Sequence, residues 1–391
     1  MTIKKNSSIN GFILANELNK DFSYTSGQIL SSMNSEPIAR DIFSKYLHTN
    51  LGDPALFSGT ASVEKYVIKI LGELVQLPEK GRGVILTGGS EANVTALWAI
   101  RNKKIKDFLN YNGIPEVIAP ESAHISIEKA ANLLGVKLTK IPVTSYYQID
   151  LAKLTDSISE NTFAIVGVAG TTAFGTIDPL LELNDICLSN NIDLHIDAAF
   201  GGLVIPFIDE VQTECNLSFD LKALKSMTID IHKMGRVPCP GGGLLWRDDS
   251  YPKAIQFTLK YLEGNPKQNT ITGTRSGALS IAFVKTWLNY GYDGHQKEVL
   301  ECLENTIYLY RELIERGFII PIKPVINILG VKTTDNYPID ISQLHTDLWK
   351  LGWTTTIVDG FLRFVIMPQT TKNHITRLLE TIDNIVQNLS Q

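Results

Sequence analysis

Two apolar strands that each end on a charged residue constrain this chain more than any other feature. Both lie between Leu194 and Trp246. The first part reads LHIDAAFGGLVIPF, so a strand delivers Asp197 into a run of small residues that includes Ala198, Ala199, Gly201 and Gly202. The second reads SMTIDIHKMGRVPCPGGGLLW, so another strand delivers His232 and Lys233 into a loop rich in glycine and proline. A buried charge is costly unless it is paired or held for a purpose. Asp197 and Lys233 are therefore either an ordinary buried ion pair or two sides of a ligand site, and the rest of the chain has to separate these.

The pattern around them is regular. Val63, Tyr66, Val67, Ile70, Leu71 and Leu74 share one helix face, and Pro78 closes that helix. Short apolar runs then alternate with helical stretches. GVILT precedes a helix from Glu91 to Asn102, VIAP a helix over 126–134, and VKLTKI a helix near 150–158. FAIVGVAG leads to a helix over 179–190, followed by the strand IDLHID. Such alternation predicts an α/β fold with a mostly parallel sheet covered on both faces. After Trp246 a loop-like stretch runs to about Arg275, then a helix starts near Leu279 and a long amphipathic one covers 295–316. NILGV, a helix over 342–351, TTTIV, LRFVIM and a last helix through Ile375, Leu379 and Ile382 complete an α+β segment. The expected organisation is an N-terminal arm (1–60), a large ligand-binding domain (61–275) and a smaller C-terminal domain (276–391).

Composition narrows the function. A net charge of −5 without a lysine/arginine run argues against a nucleic-acid partner. No apolar run nears the roughly 18 residues a membrane helix needs, and the segment FILA near the N-terminus is too short for a signal-peptide core. Cys187, Cys215, Cys239 and Cys302 are far apart, which speaks against a zinc site or a disulfide framework. A cytoplasmic chain without a resident metal is expected.

Three further strand ends carry chemistry, and the Asp197 strand carries one more residue to weigh. LTGGSEAN places Gly88 and Gly89 between a strand and a helix, where free amides and the helix dipole favour a phosphate, and Ser90 adds a hydroxyl or a cap. His124, in ESAHIS, is either a flat partner for an aromatic ring or a hydrogen-bonded residue near a helix start. Thr171 and Thr172, in GTTAFG, follow a fully apolar strand at the edge where ligands of open α/β sheets collect. His195 and Asp197 form an HxD pair, but no third ligand at a sensible spacing supports a metal. Together these residues suit pyridoxal phosphate. A carboxylate at Asp197 keeps a pyridine nitrogen protonated, and an amine at Lys233 forms a Schiff base.

The motifs TGGSEAN, SAHIS, GTTAFG, HIDAAFGG, DIHKMGRVPCPGGG and TGTRSG, in this order, resemble the group II pyridoxal-phosphate-dependent amino-acid decarboxylases, and among them the archaeal-type L-tyrosine/L-aspartate decarboxylases. YTSGQILSSM and NLGDPALFSGT extend the likeness, which runs from about Tyr24 to Pro368. The resemblance implies the fold type I architecture of these transferases and a homodimer with shared active sites. It implies Lys233 as the Schiff-base lysine, Asp197 at the ring nitrogen, His124 stacked on the ring and Ala199 beneath it. Gly89, Ser90 and His232 would serve the phosphate, with Thr274 or Ser276 reaching it from the other subunit. Arg236, Cys239 and Gly241 depart from the family pattern, where smaller or more apolar residues are expected, and this bears on substrate choice.

The implied reaction removes CO2 from an L-amino acid to leave the amine. In the family a tyrosine on a mobile loop often supplies the final proton; Tyr261 is the candidate, against its reading as an ordinary loop aromatic. Arg363, in FLRFVIMP, is a candidate for a substrate carboxylate, against a structural salt bridge. Rival readings are carbon–carbon cleavage as in sphingosine-phosphate lyase relatives, oxidative deamination to an aldehyde, and a non-catalytic scaffold that kept the fold.

Overall fold

The computed structural model describes residues 17–22, 24–105 and 113–389. The first sixteen residues, FILA among them, lie outside the described residues.

In chain order the elements begin with α1 (Pro37–Lys45), α2 (Ser58–Leu74), β1 (Arg82–Leu86), α3 (Gly89–Lys104), β2 (Glu116–Pro120), α4 (Ser126–Leu134), β3 (Lys137–Ile141) and α5 (Leu151–Ser157). There follow β4 (Thr162–Val168), α6 (Leu180–Ser189), β5 (Asp193–Asp197), α7 (Asp209–Cys215), β6 (Leu224–Ile229) and β7 (Gly242–Trp246). Beyond Trp246 come α8 (Ser250–Lys253), β8 (Phe257–Thr258), β9 (Lys267–Gln268) and α9 (Ala278–Glu315). The chain closes with β10 (Ile328–Val331), α10 (Ile341–Lys350), β11 (Thr356–Val358), β12 (Phe361–Val365) and α11 (Lys372–Leu389).

Seven strands form one sheet in the order β1-β7-β6-β5-β4-β2-β3. Neighbours pair in parallel except at β7, which runs antiparallel to both β1 and β6. β2, β4 and β5 are buried along their whole length, which is why they read as unbroken apolar runs rather than alternating ones. Successive residues feed two cores. Ile118, Ile165 and Ile196 pack on one side of the sheet, and Val117, Ala164 and Val166 on the other. Helix α3 covers the second face and is buried from Ala92 to Leu97 and again at Ala99 and Ile100.

The structure corrects one expectation about the glycine-rich stretch. Gly242 and Gly243 are not part of a loop; they open β7. The reason is close approach. A Cβ on Gly242 would fall 2.5 Å from Asp230 Oδ1 and 2.7 Å from the carbonyl carbon of Gly88. The stretch expected to be a loop before Arg275 also holds α8 and a two-stranded hairpin, β8–β9. The two helices expected around 279 and 295–316 are both present within α9, where a non-helical backbone at Gly291 (φ 66°, ψ −172°) separates them.

A second, smaller body is built from the antiparallel sheet β10-β12-β11 with α10 and α11 against it. Its core includes Leu309, Leu313, Phe364, Leu378 and Ile382, and also Leu30 from the N-terminal segment. That segment is sewn into the small sheet rather than wrapped on the surface. Leu30 N donates to Thr354 O (3.0 Å), Thr354 N to Gln28 O (2.9 Å) and Val365 N to Leu30 O (2.8 Å). Six residues on, it is fastened to the turn after Lys233. Glu36 N donates to Arg236 O (2.8 Å), and the Arg236 guanidinium pairs with both Glu36 and Glu298. Arg236 holds a left-handed backbone (φ 56°) to reach both.

Removing Arg236 leaves two largely buried carboxylates facing each other. Arg236→Met should therefore cost about 3 kcal/mol of stability, and Glu298→Gln clearly less because Arg236 keeps Glu36. Urea unfolding of the two variants checks this; equal midpoints for both and for the wild type would show the three charges to be idle.

Candidate active site

The residues that sequence reasoning singled out come from different strand ends, and a polar cavity of about 360 Å³ gathers many of them at the carboxyl edge of the large sheet. Gly88, Gly89, Ser90, His124, Thr172, Asp197, Ala199, His232, Lys233 and Arg363 all line it. Thr171, Tyr261, Thr274 and Ser276 do not. Thr171 is buried beside the cavity, its hydroxyl within 2.6 Å of that of Thr176. Tyr261 is 80% exposed at the tip of the β8–β9 hairpin. Thr274 is exposed, and the buried Ser276 hydroxyl has no hydrogen-bond partner among the described residues.

At one end of the cavity, β1 turns into α3 through Gly88, whose φ of 112° only glycine adopts without strain. This turn leaves the free amides of the first turn of α3 beside the cavity, an environment that favours an anion. Glu91 braces it from behind. Its carboxylate accepts from Thr87 N (2.9 Å) and Thr87 Oγ1 (2.6 Å), and from Thr272 N (3.2 Å) and Thr272 Oγ1 (2.9 Å). Burial works to raise its pKa, but these bonds outweigh it and keep the group ionised below its usual range. His232 closes the same end, with Nδ1 donating to Gly241 O at 2.6 Å.

Lys233 follows β6 by one short turn. Its Nζ lies 3.1 Å from Asp230 Oδ2, so the ion pair it makes is with Asp230 rather than with Asp197. The Oδ1 atom of Asp230 is buried with no hydrogen-bond partner among the described residues. Asp197 ends β5; Asn93 Nδ2 donates to its Oδ2 (2.7 Å) and Ala199 N to its Oδ1 (3.1 Å). His195, two residues earlier, is fully buried and committed on both ring nitrogens, to Ser226 Oγ (2.8 Å) and Asn93 Oδ1 (3.0 Å). Burial pushes its pKa down to about 4, so it is a neutral structural residue and not half of a metal pair.

His124 stands on the cavity wall with Nδ1 turned to Ser126 Oγ (2.9 Å) and Ser126 N (3.2 Å). Partial desolvation lowers its pKa, with Lys233 acting in the same direction and Asp197 against it. Asp178 secures the end of β4 by accepting from Val168 N and Ile149 N (2.8 Å each). Burial raises its pKa to about 6.

Arg363 reaches the cavity from β12 of the small sheet. It is 8% exposed, and no described residue pairs with it. Its Nε is a buried donor without an acceptor, and burial lowers its pKa to about 10. A desolvated, unpaired guanidinium is costly to keep and suits an anion that arrives with a ligand.

Sequence reasoning missed Asp230, Asn93 and Met33. Met33 lines the cavity from the N-terminal segment. Asp230 had a readable signal, because an acid three residues before Lys233 shares its turn. Asn93 and Met33 had none, since a single polar residue in a helix and a single methionine in an extended segment are unremarkable.

Pyridoxal phosphate fits these residues. The cavity has an anion site at the N-terminus of α3, a carboxylate at Asp197, an imidazole at His124, and a primary amine at Lys233. Ala199, with its small side chain, leaves room for a planar ring.

The comparisons agree. The model of the pyridoxal-dependent decarboxylase conserved domain matches residues 20–329. A probable L-tyrosine/L-aspartate decarboxylase of Methanothermobacter thermautotrophicus is 41% identical over 368 residues, covering 93% of this chain and 98% of that protein. An L-aspartate/L-glutamate decarboxylase of Pyrococcus horikoshii is 38% identical over 373 residues, covering 94% of each. In structure, the glutamate decarboxylase of Lactobacillus brevis superposes with a TM-score of 0.90 at 21% identity, over 100% of this chain and 95% of that one, a likeness of fold. The chain belongs to the pyridoxal-dependent decarboxylase family and is a pyridoxal-phosphate-dependent carboxy-lyase of the fold type I architecture.

Proposed function

We propose that the substrate is an L-amino acid of the tyrosine or aspartate type, and that Arg363 binds its carboxylate. The unpaired Arg363 guanidinium in the same cavity as Lys233 is the observation that carries this reading. The named activities of the two archaeal relatives support the substrate class.

When bound, pyridoxal phosphate supplies an electron sink for the pair released as CO2 departs. The chain's own residues do the rest. The amides of Gly89 and Ser90, with His232, hold the phosphate. Thr172 lines the cavity beside the ring and Thr171 supports the same loop. Asp197 keeps the ring nitrogen protonated by placing a negative charge against it. His124 and Ala199 would flank the ring. Lys233 would supply the amine that holds the cofactor covalently.

The second subunit of a homodimer completes the site. Tyr261, Thr274 and Ser276 stand outside their own cavity, and Phe257 and Ile271 beside them are exposed apolar side chains, which supports a partner on this face. Thr274, which is exposed, would reach the partner's phosphate in preference to Ser276, whose hydroxyl is buried, and Tyr261 would protonate the carbon that loses CO2. The smaller C-terminal body is a separate domain, begun near residue 276, that brings Arg363 to the site. Four free cysteines, and the lack among the described residues of a helix able to cross a membrane, support a cytoplasmic setting.

The deciding experiment is to incubate the cofactor-loaded protein with each of the twenty amino acids and to measure amine and CO2 together. A tyrosine- or aspartate-type substrate should give both in equal amounts, and Tyr261→Phe should slow the amine or divert it to aldehyde. Aldehyde from the wild type, or turnover of neither class, would overturn the proposal; unchanged product and rate in Tyr261→Phe would remove that residue.

Lys233→Ala should abolish covalent retention of the cofactor after borohydride reduction as well as turnover. Asp197→Asn should keep the cofactor and lose turnover by roughly a hundredfold or more. Equal behaviour of the two variants would contradict their separate roles.

For Arg363→Gln the loss of a charge-assisted pair of about 2 kcal/mol predicts a KM roughly thirtyfold higher. The cofactor-free variant should unfold no more easily than the wild type, because an uncompensated buried charge has gone. A lowered unfolding midpoint with unchanged KM would make Arg363 structural.

A further inference from the structure

Asn93 occupies the second turn of α3, is 1% exposed, and uses every hydrogen-bonding position its amide has. Its Nδ2 donates to Asp197 Oδ2 (2.7 Å) and Ser126 Oγ (2.9 Å). Its Oδ1 accepts from Thr228 Oγ1 (2.7 Å) and lies 3.0 Å from His195 Nε2. One side chain thus joins α3, α4, β5 and β6.

The chemistry of the partners fixes the orientation of the Asn93 amide and the proton position on His124. An ionised carboxylate only accepts, so the amide nitrogen must face Asp197 and the amide oxygen must face Thr228 and His195. His195 therefore donates from Nε2, and its Nδ1 lies 2.8 Å from the Ser226 hydroxyl and 3.1 Å from the Ser226 carbonyl. On the other side the Ser126 backbone N–H, which can only donate, points at His124 Nδ1 (3.2 Å) and makes that nitrogen an acceptor. The Ser126 hydroxyl, 2.9 Å from the same atom, therefore gives it a proton while its oxygen accepts from Asn93. With two donors on it, Nδ1 of His124 has no place for a proton.

We propose that Asn93 is a positioning residue that, through Ser126, holds His124 as the neutral tautomer protonated on Nε2, while it fixes the orientation of the Asp197 carboxylate. The catalytic consequence rests on the reading of His124 and Asp197 as cofactor residues, whereas the tautomer is a property of the chain by itself. His124 then offers the ligand an N–H at Nε2 and no positive charge. The charged groups around it are Asp197, Asp230, Lys233 and Lys129, and all four remain in the variants below.

Asn93→Asp is the informative change, since it keeps the shape and replaces the donor by an acceptor. The new carboxyl oxygen would draw the Ser126 proton to itself. Ser126 Oγ would then no longer donate to His124 Nδ1, which keeps only the Ser126 backbone N–H, so the hold on the Nε2 tautomer weakens. Ser126→Ala is the milder variant; it removes one of the two donors to Nδ1 and leaves Asn93 bound to Asp197.

The test is nitrogen-15 NMR of histidine-labelled, cofactor-free protein, with the His124 signals identified by their loss in His124→Gln. The wild type should show His124 neutral at pH 7 and protonated on Nε2. Asn93→Asp and Ser126→Ala should each reduce the tautomer preference roughly tenfold, and Asn93→Asp should also raise the titration midpoint. In the loaded enzyme both variants should lower kcat more than they raise KM, with a shifted pH profile. A wild-type His124 protonated on Nδ1, or one whose tautomer and titration are the same in both variants, would overturn the proposal. A purely structural Asn93 would lower stability without moving these signals. The NMR outcome stands whether or not an amino acid is turned over, so failure of the proposal and failure of the assigned reaction are told apart.

Discussion

A parallel sheet buried on both faces admits polar side chains along its strands only where each is hydrogen-bonded, as at His195 and Thr228, so the polar groups left to meet a ligand collect where the strands end. Here that constraint acts at β1, β2, β4, β5 and β6 together. Each strand carries apolar residues into the two cores and releases its polar cargo at the same edge: Gly88, His124, Gly170, Asp197 and Lys233. Convergence of these groups follows from the direction of the strands and needs no long-range instruction. The small sheet then adds Arg363 from the opposite side of the chain's sequence, more than a hundred residues later.

Charge in this cavity is handled in three different ways. Lys233 is neutralised by Asp230 within its own turn, which leaves Asp197 to an amide and a backbone N–H instead of a cation. Arg236, three residues beyond Lys233, is clamped by two carboxylates outside the site and acts on the backbone there. Arg363 has neither arrangement. The contrast matters because these cations are similarly shielded from water, and they differ in whether the fold has already supplied a counter-charge.

Much of this was legible in the residue order. Strand ends followed by glycine, histidine or small residues are local patterns, and Gly88, His124, Asp197 and Lys233 stood out for that reason. The sheet was legible because its strands are continuous apolar runs, and the broken helix α9 was legible as two halves on either side of Gly291. β7 was not, because Gly242 and Gly243 look like a turn until their neighbours Asp230 and Gly88 are in place. Asn93 was quoted within a motif, yet its importance depends on α3 being buried almost all round, so that a polar residue there meets Asp197 and Ser126 and not water. The missing partner of Arg363 is likewise a fact about packing, which no local pattern of residues records.

The antiparallel strand β7 has one more effect. It separates β1, which bears the glycine turn at Gly88, from β6, which leads to Lys233, and at its first residue both neighbours lie within a methyl group's width. The interval between the anion site and the amine is therefore set by the thickness of a single backbone. A loop in that position would let the interval vary with every fluctuation, whereas a hydrogen-bonded strand with no side chain acts as a spacer of constant gauge. The dimension of the ligand that the site accepts is, in this sense, written into the missing side chain of Gly242.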